Sequence, residues 1–403
     1  MSRPFLADAR ARYVAANAAT LRWMLARGRL AGVFLDTKLD PVRLVDRAVD
    51  DVWRGPATIY GWIQGRGLEA LVRHADAFEG HDPALAAALR AAARPLATAL
   101  RAMIGARGGR AAFACDQTLA PVRPGADGLP IAQTLSPAIA TYTDIFVRKG
   151  LVAASAAFEP ARLDGDLAAL DAIEADIAAG RFQMDERAPI GDAAPPGDRA
   201  HYGPPMILLG AGGLLRHVGQ AARAVALARR LIPPVLERHL APNGLMRDAV
   251  GGDASNPGHA IEFVGFAFEA LGDAMEPELA ATLARILEAS FAAGFSGVGL
   301  RLSVSVATGA VIDPLMPWWS LPETIRAAAL VHAHTGSTTA LDIWRAADDA
   351  FFTRYWRGDP PIAFQTRRED GPIDHVPATP DLDPGYHTGL SLLGAIEAIE
   401  RLA

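Results

Sequence analysis

The sequence predicts an all-α protein, a toroid or solenoid of helices joined by Gly/Pro turns, and three observations carry that expectation. Apolar residues recur at three- and four-residue spacing through most of the chain, strand-like runs are few and short, and the strand–helix alternation of a parallel sheet is absent. With 403 residues, 51% of them hydrophobic, the chain can bury a large core, and its length alone would allow two or three domains. Its composition does not shift along the way, so a single domain over residues 1–403 is expected.

Taken in order, residues 57–63 read as strand-like. Pro83–Gly105 is an Ala- and Leu-rich helix in which Pro95 marks a break or kink. Helical spacing continues through 167–179, 208–240, 260–271, 277–293, 322–334, 339–356 and 388–402. Residues 111–114 and 301–308 suit short hairpins in loops. The Pro-, Asp- and Gly-rich stretch 185–205 reads as a long surface loop, and such loops in compact domains are often functional.

Charge and composition exclude several function classes. Net charge is −6 with acidic and basic residues interspersed, so no basic stripe points to nucleic acid or anionic lipid. The first residues carry charges where a signal peptide needs an apolar run, and no uncharged apolar span of about 18 residues occurs, which points to a cytoplasmic protein. Cys115 is the single cysteine, so no disulfide closes within the chain and no thiolate cluster holds a metal. Lys38 and Lys149 are the only lysines and so the only candidates for Schiff-base chemistry.

Three lookalikes fail on context. Gly65-Arg66-Gly67-Leu68-Glu69-Ala70 fits a dinucleotide-binding pattern, but the chain never returns to a parallel strand. Gly210-Ala211-Gly212-Gly213 lacks the Lys-Ser or Lys-Thr of a phosphate loop and is read as close helix packing. His332-Ala333-His334 would place its two rings on different sides of a helix.

The densest chemistry lies in Asn256-Pro257-Gly258-His259-Ala260-Ile261-Glu262. A helix beginning near Gly258 puts residues i and i+3 on one face, where Glu262 can orient the ring of His259 and bias its tautomer. Together with Gln64-Gly65-Arg66, Pro205-Met206-Ile207-Leu208-Leu209, Trp318-Trp319 with Glu323, and Tyr386-His387 opening the last helix, this segment resembles the N-acylglucosamine 2-epimerase family, with the motifs in the family's order across almost the whole chain.

The resemblance implies an (α/α)6 barrel with short β-hairpins in its loops. It implies epimerisation at C2, or aldose–ketose isomerisation, of unphosphorylated sugars, with two histidines as acid/base groups and with no metal or other cofactor. The sugar must be open-chain for its C2 hydrogen to be acidic, so the enzyme opens the ring, removes that proton and stabilises an enediolate. Histidine suits this work because its reference pKa is about 6.5. His387, at a helix start, is expected to be neutral and able to act as base. His259 steered by Glu262 would be its partner, and Arg66 would stabilise the oxyanion. These residues are expected to meet in one cleft.

Gln64, Trp318, Trp319 and Glu323 would bind substrate, the tryptophans offering flat faces to a pyranose ring. Ser320 to Glu323 reads equally well as a capping box. His74, His81, His201, His217, His239 and His375 are expected mostly to face solvent. The expected partner is a small sugar, with neither nucleic acid nor membrane involved, and a homodimer is left open. The chain departs from the family at Ile207, where several isomerases and cellobiose epimerases have a histidine, at Gly265, where a tryptophan is usual, and at Leu390, where an arginine is usual. Alternatives are therefore an isomerase of the same family, a carbohydrate- or protein-binding barrel, or a glycoside hydrolase using Glu262 and Glu323.

Overall fold

In a computed structural model, residues 2–376 and 378–402 are described. The chain divides into two compact units, the first made of Met1–Thr20, His201–Pro377 and His387–Ala403, the second of Leu21–Ala200 and Ala378–Tyr386. The long helix α1 (Ser2–Ala26) opens the chain.

The second unit holds α2 (Gly61–Phe78), α3 (Pro83–Gly105), α4 (Tyr142–Phe158) and α5 (Leu163–Ala178). Helix α2 packs against α3 and α4, and α4 packs against α5. Two kinds of helix result. α3 buries one stripe, including Leu85, Leu89, Leu96 and Leu100, while α2 and α4 are buried on nearly every side. Such enclosure needs small residues where the two cross. A Cβ on Gly65 would fall 2.6 Å from the Phe146 backbone, and one on Gly150 would fall 2.6 Å from the Gly65 carbonyl. The Gly-x-Gly pattern at 65–67 is thus part of a helix crossing.

The first unit continues with α6 (Gly203–Leu209), α7 (Ala211–His217), α8 (Ala221–His239), α9 (Pro257–Leu271), α10 (Pro277–Gly294), α11 (Ser320–Thr335), α12 (Thr338–Ala350) and α13 (His387–Leu402). Helix α9 packs against α7, α8, α10 and α11, and α11 against α12 and α13. Here too α9, α11 and α13 are buried almost all round. Gly212 of the second glycine cluster lets α7 meet α9, since a Cβ there would fall 2.2 Å from that of Ala270. Two three-stranded sheets brace the helix starts. One joins Ala254–Ser255, Ser303–Ser305 and Val311–Asp313 just ahead of α9, and the other joins Met316–Pro317, Thr366–Arg368 and Gly371–Ile373 just ahead of α11.

Several local expectations change. Only Ile59–Tyr60 of the strand-like run 57–63 is a strand, because Gly61 already begins α2. Helices α1, α2 and α4 have no counterpart in the apolar patterns. Pro95 does not break α3, nor do Pro233 and Pro234 break α8. All three lie on exposed faces, where water can satisfy the carbonyls left without a donor. The loop 185–205 contains a short helical turn at Pro196–Ala200, and α6 starts before it ends. His74 and His239 are buried rather than solvent-facing, their rings taken up by the carbonyls of Gly385 and Arg247. No described helix is long and apolar enough to cross a membrane.

Candidate active site

The first unit brings together both histidines singled out by the sequence. Asn256 caps α9, its side-chain oxygen accepting from the His259 backbone N–H at 3.1 Å, and Pro257 occupies the first turn, where its missing N–H costs nothing. His259 therefore stands at the helix start, one position later than the expected Gly258 opening would place it. Its imidazole stacks on Trp319 with ring centroids 5.1 Å apart and planes 24° from parallel. Gly258 makes that possible, for a Cβ there would fall 2.7 Å from the Trp319 indole. His387 approaches the same indole at 5.9 Å and meets Trp318 edge-on at 6.2 Å. Trp319 is thus a shared wall for two imidazoles carried by α9 and α13.

The carboxylates are arranged differently from the expectation. Glu262 lies on the same face of α9 as His259, as its spacing requires, but it makes no hydrogen bond to that ring. Its Oε1 stands 3.9 Å from Nδ1 of His387. Glu323 takes the closer position. Its Oε1 accepts from His387 Nδ1 at 3.0 Å, which places the Nδ1 hydrogen on the carboxylate side of that ring. Glu323 does not form the capping box with Ser320, whose hydroxyl donates instead to the Pro317 carbonyl. The reason is burial: Glu323 is enclosed within the first unit, where His387 and Arg326 supply the donors it needs.

A helix start favours a neutral imidazole at His387, whereas the two carboxylates beside Nδ1 pull toward the imidazolium. For His259, burial of the ring and, second, the neighbouring His387 push the pKa down to about 4, against a smaller upward pull from Glu323. His259 is thus neutral at neutral pH.

Arg326 was not flagged by the sequence reading. It follows Glu323 by three residues on α11, a spacing that signals a same-face ion pair, and its guanidinium donates to Glu323 Oε2 and lies 3.4 Å from Glu269. Glu262, Glu323 and His387 offer ligand atoms all within 4.8 Å of one another, the one such group among the described residues. The Arg326 guanidinium already supplies Glu323 with a cation.

The remaining predicted site residues lie in the second unit. Gln64 is fully buried, and its amide both accepts from the Leu35 N–H at 2.8 Å and donates to the Leu35 carbonyl at 3.0 Å. It braces the backbone of Leu35 rather than presenting an edge to a ligand. Arg66 sits among aromatic faces, its guanidinium 4.0 Å from the Phe146 centroid, 4.9 Å from Trp62 and 5.4 Å from Tyr386.

Both lysines are buried and ion-paired. Lys38 meets Asp381 at 2.6 Å, and Lys149 meets Glu69 at 3.3 Å and donates to the Tyr386 hydroxyl at 2.5 Å. Glu186, from the predicted loop, accepts from Trp62 Nε1 and from the Thr143 N–H and hydroxyl, and burial raises its pKa to about 7. That carboxylate pins the loop to the start of α4.

No protein-family model matches the chain, and no curated protein matches it in sequence. Solved structures do. A cellobiose 2-epimerase from Spirochaeta thermophila is 16% identical, with 99% of this chain and 98% of that one covered at a TM-score of 0.74. A D-mannose isomerase is 13% identical over 96% of this chain and 97% of its own, at a TM-score of 0.70. A sugar epimerase from a ruminal bacterium is 16% identical over 94% and 98%, at 0.62. At these identities the likeness establishes the fold, and the chain has the expected all-α, (α/α)-barrel fold.

Proposed function

We propose that the chain is a sugar 2-epimerase, an isomerase that interconverts the C2 epimers of a free aldose or N-acyl amino sugar through an enediolate. The observation that carries this reading is the pair of imidazoles flanking Trp319, one beside two carboxylates and the other buried and neutral. Epimerisation needs one group to take the C2 proton and another to return a proton to the opposite face. A pair that holds one proton between two rings does both. In one direction neutral His259 is the base and His387 the acid, and in the other direction the roles exchange. Trp319 holds both rings in place, and Glu323 fixes the His387 tautomer.

The likeness to a D-mannose isomerase, close behind that to the epimerase, favours a second reading in which the same histidines move the proton from C2 to C1 and yield a ketose. One experiment tests both. The protein is incubated in D₂O with a panel of free aldoses and N-acyl amino sugars, with EDTA present, and products are read by NMR. The proposal expects the C2 epimer with deuterium at C2. A deuterated ketose selects the isomerase. Complete retention of the substrate hydrogen, or loss of turnover on chelation, sinks both, because a hydride shift commonly relies on a divalent ion to polarise the carbonyl.

A further inference from the structure

Helix α9 presents His259, Glu262, Phe266 and Glu269 at spacings of three, four and three, one stripe along a single face. Helix α11 presents Glu323 and Arg326, and α13 presents His387 and Gly394. Between these three helices the Arg326 guanidinium lies 4.5 Å from the Phe266 ring centroid and joins Glu323 to Glu269. Its slot is carved by glycines on both sides. A Cβ on Gly265 would fall 3.1 Å from Arg326 Nε, and one on Gly394 would fall 3.1 Å from Arg326 Cδ and 2.9 Å from Glu269 Oε1.

We infer that Arg326 is a positioning residue for the reaction, acting through Glu323 on His387. Glu323 is buried and stands in a crowd of like charge, with Glu262 and Glu269 close by. Without the guanidinium, burial and mutual repulsion would favour protonation of one of these carboxylates. A protonated Glu323 would no longer draw the Nδ1 hydrogen of His387, and the ring would lose the contact that fixes its tautomer. The planar fork of arginine can meet both carboxylates at once, a geometry that lysine cannot copy. This inference rests on the proposed epimerase or isomerase reading, and its test includes a readout that needs no substrate.

The experiment is a mutant cycle on the full chain. Arg326→Met is expected to lower kcat at least tenfold while KM stays within about threefold, and Arg326→Lys to recover part of the loss. If Arg326 acts through Glu323, adding Arg326→Met to Glu323→Gln changes kcat less than about twofold. The same factor in both backgrounds, or a lowered Tm with unchanged kcat, overturns the inference. Should Arg326→Met fail to fold, Glu269→Gln loosens the far side of the guanidinium and is expected to lower kcat about threefold with the same non-additivity.

Nitrogen NMR of His387 separates this inference from the functional reading. The parent is expected to show Nδ1 protonated and hydrogen-bonded, and the Arg326 variant to lose that signature. An unchanged signature overturns the inference whatever the activity. A parent without turnover but with the expected signature change would sink the functional reading alone.

Discussion

The two units each enclose a charged group on helices buried nearly all round, but they hold it by different means. In the first, Nδ1 of His387 faces two carboxylates and His259 lies against Trp319. In the second, Arg66 is surrounded by Trp62, Phe146 and Tyr386. Carboxylates change the proton affinity of an imidazole, whereas aromatic faces hold a guanidinium without altering a charge that is permanent at any working pH. The first arrangement bears on where a proton sits, and the second surrounds a fixed cation. Similar burial therefore yields two kinds of chemistry, decided by which side chains line the space.

That contrast breaks most readily at the histidines. His387→Asn and His259→Asn are each expected to reduce kcat by about 10²–10⁴-fold while Tm moves only a few degrees. Steady-state rates on whichever sugar exchanges deuterium, with thermal melts alongside, check this. Full activity in a folded variant would remove that ring from the proton relay.

At Arg66 the expected effect falls on stability. Arg66→Met keeps an apolar stem in the aromatic enclosure but removes the charge, with an expected loss of about 1–2 kcal/mol in urea unfolding. Arg66→Lys is expected to recover little of it, because an ammonium on a flexible stem does not fill a flat enclosure. A variant as stable as the parent would show that the enclosure does not hold the cation.

A smaller effect sharpens the role of burial itself. His74 is fully enclosed, and burial pushes its pKa down to about 4. The unfolded chain takes up a proton at such a ring near pH 6.5, and the folded chain only near 4. The stability due to neutral His74 is therefore complete above about pH 6.5 and is lost as pH falls toward 4. Asp144 and Glu186, whose pKa values burial raises to about 6 and about 7, work in the opposite sense, so the variant must be compared with its parent. In His74→Gln the fall in unfolding free energy from pH 7 to 4.5 should shrink by about 2–3 kcal/mol. An unchanged fall would mean that the ring is already protonated in the folded protein.

By itself the sequence determined the helical class and the starts of the helices that carry His259 and His387. These are local matters. A 3.6-residue apolar period, an Asn-Pro start and a His at a helix opening can be read from neighbours along the chain. The same local reading misses α1, α2 and α4. It likewise gave Gln64 a ligand and Glu262 to His259, since spacing says which residues share a face but not what that face meets.

Only the tertiary structure decided that Glu323, rather than Glu262, holds His387, that Trp319 is the wall common to both rings, and that Arg326 ties Glu323 to Glu269. The physical reason is that a buried charge takes whichever donor or acceptor the packing brings within about 3 Å. In this chain those partners come from helices that lie far apart in sequence.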